Sequence, residues 1–280
     1  MHVRFGPGGI PIQCKGTSSM EGVACCAGLG LTAMEIEFVQ GVRMKKESAQ
    51  EVKAVAGRLD ISLSSHAPYF VNLCSLEPAK EKTSQRNILQ AAEITYHAGG
   101  SITVFHPGYY QKLTPEEAYR QAKKNLEQIE EKLKQKKIKI RLGAECVGKK
   151  SQFGGLNEVI RLSQELEHVV PVLDFSHLHA RRDFPFQTKE DYRRLFALLD
   201  KELPGYTKQF HAHFSEINYS DKGELNHLAL GTKNEPPFEP LMEMLAEHGY
   251  AGTIISETPR LDYDAQKMQR AYEKALKHAR

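Results

Sequence analysis

The sequence has no apolar run near the roughly 18 residues that a membrane span needs. Its first nine residues carry no apolar core of signal-peptide length. The chain is therefore expected to be soluble and cytoplasmic, with no membrane partner. It also has little net charge, with 38 Lys and Arg against 35 Asp and Glu. That small excess permits contact with a polyanion without demanding it. No CxxC pair occurs among Cys14, Cys25, Cys26, Cys74 and Cys146, and their number is odd. A reduced compartment with mostly buried thiols is the expectation. No GxGxxG follows the first apolar run, because Gly6-Pro7-Gly8-Gly9 contains a proline and lacks the spacing. This weighs against a doubly wound dinucleotide-binding sheet. No linker or low-complexity segment divides the chain, so residues 1–280 are read as one domain. With 40% apolar residues, a sizeable core is available and disorder is excluded.

What is present is an alternation of short apolar runs with amphipathic stretches. The runs are 3–7, 33–39, 61–67, 101–106, 138–145, 169–175, 209–214 and 253–257, rich in Val, Ile and Phe. Between them lie helical patterns. Thr114-Pro115-Glu116-Glu117 offers a Thr N-cap, a Pro in the first turn and acids at the positive end of the helix dipole. Segments 126–137, 188–203, 237–247 and 264–278 show helical periodicity. Gly99-Gly100 and Gly249 read as helix stops. Eight strand–helix repeats in 280 residues predict parallel strands, right-handed crossovers and an α/β fold of the (β/α)₈ barrel type.

Six consecutive runs end on a residue that can bind metal. In order these are His66, His106, Glu145, Asp174 with His177, His213 and Glu257, spaced 29 to 44 residues apart. Each interval is about one βα unit. The carboxyl ends of barrel strands converge on one mouth, so this register brings the six together. One such histidine alone is more often structural, and one such Asp is often only a helix cap. Six in succession predict a shared site. Imidazole with carboxylate suits zinc, manganese or iron, and several carboxylates among histidines can bridge two ions. His211 shares the face of His213 but lies deeper, so a supporting hydrogen bond is expected there. His179 is expected to meet solvent or substrate. His2, His97, His168, His248 and His278 belong to no constellation.

The segments His66-Ala-Pro-Tyr69-Phe-Val-Asn72, Phe105-His106-Pro-Gly108, Asp174-x-x-His177 and Ser256-Glu257-Thr258, with Glu145 and His213, resemble the endonuclease IV family of abasic-site nucleases over residues 30 to 260. The resemblance implies a barrel holding up to three zinc ions. It places His66, His106 and Glu145 on the first ion. Glu145 bridges to a second, completed by Asp174, His213 and Glu257. His177 and His227 hold the third. The family has an Asp two residues before that last histidine, where this chain has Leu225. Glu224 or Asp221 could substitute; otherwise the third position is weak or empty. The resemblance also implies that Arg43, Tyr69 and Phe70 enter damaged DNA. Lys149, Lys150, Arg181 and Arg182 are candidates for phosphate contacts around the mouth.

Two functions follow as expectations. The first is cleavage of duplex DNA 5′ to an abasic site by a water activated between metals, with Glu145 as the catalytic residue and zinc as cofactor. Two ions are expected and a third is open; manganese is an alternative. The protein would act as a monomer. The second is a xylose-isomerase-like sugar isomerase or epimerase, which needs one divalent metal and an acid/base group.

Overall fold

The computed structural model describes residues 2–14 and 18–279. Eight parallel strands form one sheet: β1 (Val3–Pro7), β2 (Ala33–Glu37), β3 (Ser62–His66), β4 (Ile102–Phe105), β5 (Arg141–Glu145), β6 (Val169–Asp174), β7 (Phe210–Phe214) and β8 (Gly252–Ser256). From β2 to β8 each pairs with the next, and β8 pairs with β1. Between β1 and β2 the seam is closed by Thr32 N–H to Phe5 O at 3.0 Å and Gly9 N–H to Glu35 O at 2.9 Å. Gly6 sits at this seam, where a Cβ would lie 1.9 Å from the Ala33 carbonyl oxygen. Only glycine lets the two strands come that close. The expected (β/α)₈ barrel is therefore the fold observed.

Nine α-helices are seen among the described residues: α1 (Ser19–Gly28), α2 (Lys46–Leu59), α3 (Pro78–His97), α4 (Pro115–Gln135), α5 (Leu156–Glu165), α6 (Phe175–Arg181), α7 (Lys189–Glu202), α8 (Phe238–His248) and α9 (Leu261–His278). None is long and apolar enough to cross a membrane. The Thr114 start signal is realised as a capping box. The Glu117 N–H reaches Thr114 Oγ1 at 3.3 Å, and the Thr114 N–H reaches the Glu117 carboxylate at 2.8 Å. Gly249 ends α8 in the left-handed conformation at φ 60°.

The core lies between the sheet and the helix ring. An aromatic cluster of Phe175, Phe186, Tyr192, Phe196, Phe210 and Phe214 fills it beneath β6 and β7. Most strands end one or two residues before the apolar runs do. His106 and Glu257 therefore stand just beyond their strands, on the loops of the mouth. The cysteines depart from expectation in one respect. Cys14 and Cys25 are joined as a disulfide, while Cys26, Cys74 and Cys146 are buried thiols.

Candidate metal centre

All eight candidate ligands come together at the carboxyl end of the barrel. Three donor groups form there, each within 4.8 Å internally: His66, His106 and Glu145; Glu145, Asp174, His213 and Glu257; and Asp174, His177 and His227. Glu145 and Asp174 each belong to two groups, so the donors form one continuous cluster. Glu145, fully buried, is the hub. Its Oε2 lies 3.0 Å from His66 Nε2, 3.3 Å from His106 Nε2 and 3.5 Å from His213 Nδ1, and its Oε1 lies 3.1 Å from His177 Nδ1. Glu257 Oε1 approaches His213 Nδ1 at 3.1 Å. Asp174 divides its two oxygens. Oδ1 accepts the His177 backbone N–H at 2.7 Å and caps α6, while Oδ2 faces the cluster. The cap and the candidate ligand are thus one side chain.

Backbone carbonyls preset three of the histidines. A carbonyl oxygen only accepts, so an imidazole nitrogen beside one carries the proton. His66 Nδ1 lies 2.7 Å from Ala67 O, His177 Nδ1 3.0 Å from Cys146 O, and His227 Nδ1 3.1 Å from Glu257 O. This leaves Nε2 of each ring as the donor for a metal.

The hairpin after β7 resolves the position of Leu225. Its strands, Glu216–Ser220 and Gly223–Leu228, pair antiparallel with Asn218 opposite Asn226 and Tyr219 opposite Glu224. Leu225 is the extra, unpaired residue of a β-bulge. In a regular strand residues 225 and 227 would share a face. The bulge reverses that alternation. Leu225 points to solvent, 61% exposed, and Glu224 turns toward the cluster with Oε2 3.4 Å from His177 Nε2. Gly148, after β5, leaves room for this. A Cβ there would lie 2.7 Å from the Glu224 Cβ and 2.9 Å from His177 Cδ2.

Glu35 and Glu37 on β2 are not among the residues that the sequence singles out, yet both point into the barrel. Their signal was present: two carboxylates alternating inside an otherwise apolar run. Glu37 lines a cavity of about 190 Å³ together with His66, His106, His177, Glu224, His227 and Glu257. Its buried Oε1 has no hydrogen-bond partner. Burial pushes its carboxyl up to about 8, with Glu35 and Glu257 adding to the rise against His66.

The residues suit divalent cations. Glu145 Oε1, Asp174 Oδ2 and His213 Nδ1 are buried and make no well-directed hydrogen bond, so their donor capacity is unspent. Burial opposes ionisation of Glu145, but His106 and His213 prevail and hold it well below the usual carboxylate range. Burial would also lower His66 and His177. Glu145 beside the first, and Asp174 with Glu145 beside the second, instead push each up to about 10. In the metal-free protein, protons thus stand where cations would. Their stabilising contribution is complete below the ordinary histidine value of 6.5 and is lost as pH rises through about 10. The melting temperature of chelator-treated protein should therefore fall between pH 7 and 10. Zinc should flatten that fall, because the ions replace the protons. Differential scanning calorimetry with and without zinc checks both.

The remaining candidates surround this centre. Tyr69 and Phe70 are exposed on the loop after β3, and Arg43 lies after β2 with Gln40 Oε1 3.4 Å from its guanidinium. Arg181 is turned inward. Its guanidinium donates to the carbonyls of Lys149 and Gln152 and pairs with Asp183 at 3.2 Å. It braces a loop of the rim, where Lys149, Lys150 and Arg182 are the more exposed cations. His179 is buried rather than facing solvent. Its Nδ1 accepts the Phe186 N–H at 3.1 Å, because the segment 182–186 folds back over α6. His211 makes the expected supporting contact, 3.0 Å from Glu35 Oε2.

Comparison with known proteins agrees with this architecture. A protein of Methanocaldococcus jannaschii described as uncharacterized is 35% identical over 272 residues, covering 96% of each chain. A probable endonuclease 4 of Mesomycoplasma hyopneumoniae is 26% identical over 212 residues, covering 70% of this chain and 69% of its own. Among solved structures, endonuclease IV from Thermus thermophilus superposes with a TM-score of 0.73 at 20% identity, covering 99% of this chain and 100% of its own. A D-tagatose 3-epimerase-like protein superposes at 0.70 and 21% identity, covering 94% and 97%. At such identities the two structures establish the fold alone. Residues 23–280 match the xylose isomerase-like TIM barrel family, and the chain belongs to it.

Proposed function

We propose that this protein is a metal-dependent phosphodiesterase that cleaves duplex DNA on the 5′ side of abasic sites, acting as a cytoplasmic monomer with zinc as its preferred ion. The observation that carries the reading is the continuity of the donor cluster. One ion needs only Glu145, Asp174, His213 and Glu257, yet His66, His106, His177 and His227 extend the set on both sides. Divalent ions held close together supply a clamp for a phosphodiester and lower the pKa of a bound water toward neutrality. Glu145, touching donors on both sides, would fix the spacing of the centre. His66, His177 and His227 present Nε2 toward it.

The rim supports a polymeric substrate. Val39, Tyr69, Phe70, Tyr109 and Leu225 are exposed apolar side chains at this one mouth. Exposed aromatic rings stack on bases or fill the gap of a missing one. The sequence likeness to a probable endonuclease 4 points the same way. A second reading, a sugar isomerase or epimerase, is favoured by Glu37, a carboxylate in the cavity whose buried Oε1 is unpartnered and could take and return the proton on a sugar carbon next to a carbonyl. The test uses zinc-reloaded and manganese-reloaded protein on a duplex with one abasic site and on a ketohexose mixture. Nicking 5′ to the lesion is expected. No nicking with either metal sinks the nuclease, and epimerisation of the ketose establishes the alternative.

A further inference from the structure

His213 differs from the other preset histidines. Where His66, His177 and His227 each lean Nδ1 on a backbone carbonyl, His213 points Nδ1 into the cluster and Nε2 away from it. No carbonyl receives that Nε2. Instead Glu35 Oε1, from β2 on the other side of the barrel interior, lies 2.9 Å away. Glu35 is itself held. Its Oε2 accepts from Ser64 Oγ at 2.6 Å and meets His211 Nε2 at 3.0 Å. Glu35 and His213 are fully buried, and Ser64 and His211 nearly so.

From this network we infer that Glu35 is a positioning residue. It keeps the His213 proton on Nε2 and thereby reserves Nδ1 for the metal shared with Glu145, Asp174 and Glu257. The physical need is clear. A buried imidazole with no anchor on its outer nitrogen can adopt either tautomer and rotate about χ2, and both reduce its value as a ligand. The approach to His213 is an ion pair off the N–H axis rather than a well-directed hydrogen bond. Reach is what matters, because no other acceptor among the described residues meets this nitrogen. Glu35, His211 and His213 lie close enough to hold an ion themselves. Glu35 Oε2 is already engaged by Ser64 Oγ and His211, so the group is read as support.

The inference rests on the metal centre and not on the choice between nuclease and epimerase, so its test uses zinc binding without substrate. Glu35→Gln keeps an oxygen at the same reach for His213, with the amide turned to Ser64 Oγ and His211, which can both accept. Glu35→Asp keeps the charge but withdraws it by roughly 1.5 Å. Chelator competition should show Glu35→Gln within about threefold of the unaltered protein and Glu35→Asp weaker by about 10- to 100-fold at one ion. Equal binding by Glu35→Asp, or Glu35→Gln as weak as Glu35→Asp, overturns the role. Should Glu35→Asp not fold, nitrogen-15 spectra of the unaltered zinc-loaded protein decide the matter. Metal on His213 Nδ1 with the proton on Nε2 is expected. The reverse tautomer, or an ion seated between Glu35, His211 and His213, overturns the proposal. Chain that takes up no divalent ion sinks the metal centre and this role with it, whereas absent nicking by zinc-loaded protein touches only the substrate.

Discussion

Glu145→Gln is expected to lower abasic-site nicking by at least about a thousandfold, the scale of removing a charge that acts directly at a reacting centre. The reason is position. Glu145 is the residue within 3.5 Å of nitrogens on His66, His106, His177 and His213 at once. Glutamine keeps its volume but removes the negative charge. Four histidines then surround a neutral amide, and the charge balance that favours divalent ions is lost. The metal content should fall with the activity, so elemental analysis and single-turnover nicking belong together. A Glu145→Gln protein that retains all its metal and its turnover would remove this residue from the centre. One that retains metal but not turnover would assign Glu145 to the chemistry rather than to assembly. The melting behaviour should change in a related way. The metal-free variant has lost the carboxylate that raises His66, so its stability should depend less on pH above 7.

Glu224→Ala should cost the protein one ion per chain while leaving the rest of the centre occupied. Glu224 is the carboxylate that the hairpin turns toward His177, whose Nε2 lies 3.1 Å from the Nε2 of His227. Without it, the two imidazoles and Asp174 Oδ2 must hold the ion. The loss should exceed the roughly hundredfold that removal of an outer supporting partner costs, if Glu224 binds the ion directly. Adding Leu225→Asp to that variant should not restore the ion. Position 225 is the bulged residue and faces solvent. Recovery of the ion in the double variant would show that the hairpin can shed its bulge and return to a regular register. Isothermal titration with zinc measures both variants, and metal counts after dialysis confirm the number of ions.

The two predictions differ in how visible their residues are in the sequence. Glu145 is legible because it closes an apolar run and takes its place in a series of polar strand ends. That register depends only on the period of the βα unit and on the convergence of parallel strands at one mouth. The same logic made His66, His106, Asp174, His213 and Glu257 legible, and the N-cap at Thr114 and the stop at Gly249 are local enough to read from neighbouring residues alone. Glu224 shows where local reading fails. Regular alternation puts residue 225 beside His227 and sends 224 away. A bulge reverses this, and nothing in the residues 216–228 by themselves declares a bulge; it arises because the hairpin packs on the β5 loop, where Lys149 bridges Gly223 and Gly148 leaves space.

Arg181 and His179 teach a related lesson. Each stands near the mouth in sequence, yet one is spent on carbonyls of the 149–152 loop and the other on the Phe186 amide. A long or amphipathic side chain at a helix end can turn either way, and only the neighbouring loop decides. The sequence by itself determined the barrel and the mouth to which its polar strand ends converge, because strand period and chain length leave few other ways to bury eight apolar runs. The tertiary structure alone decided which nitrogen each histidine presents, that Glu224 rather than Leu225 faces His177, and that Glu35 reaches across the barrel to His213. Those outcomes depend on contacts between residues as far apart as 35 and 213, whose geometry is set only when the barrel closes.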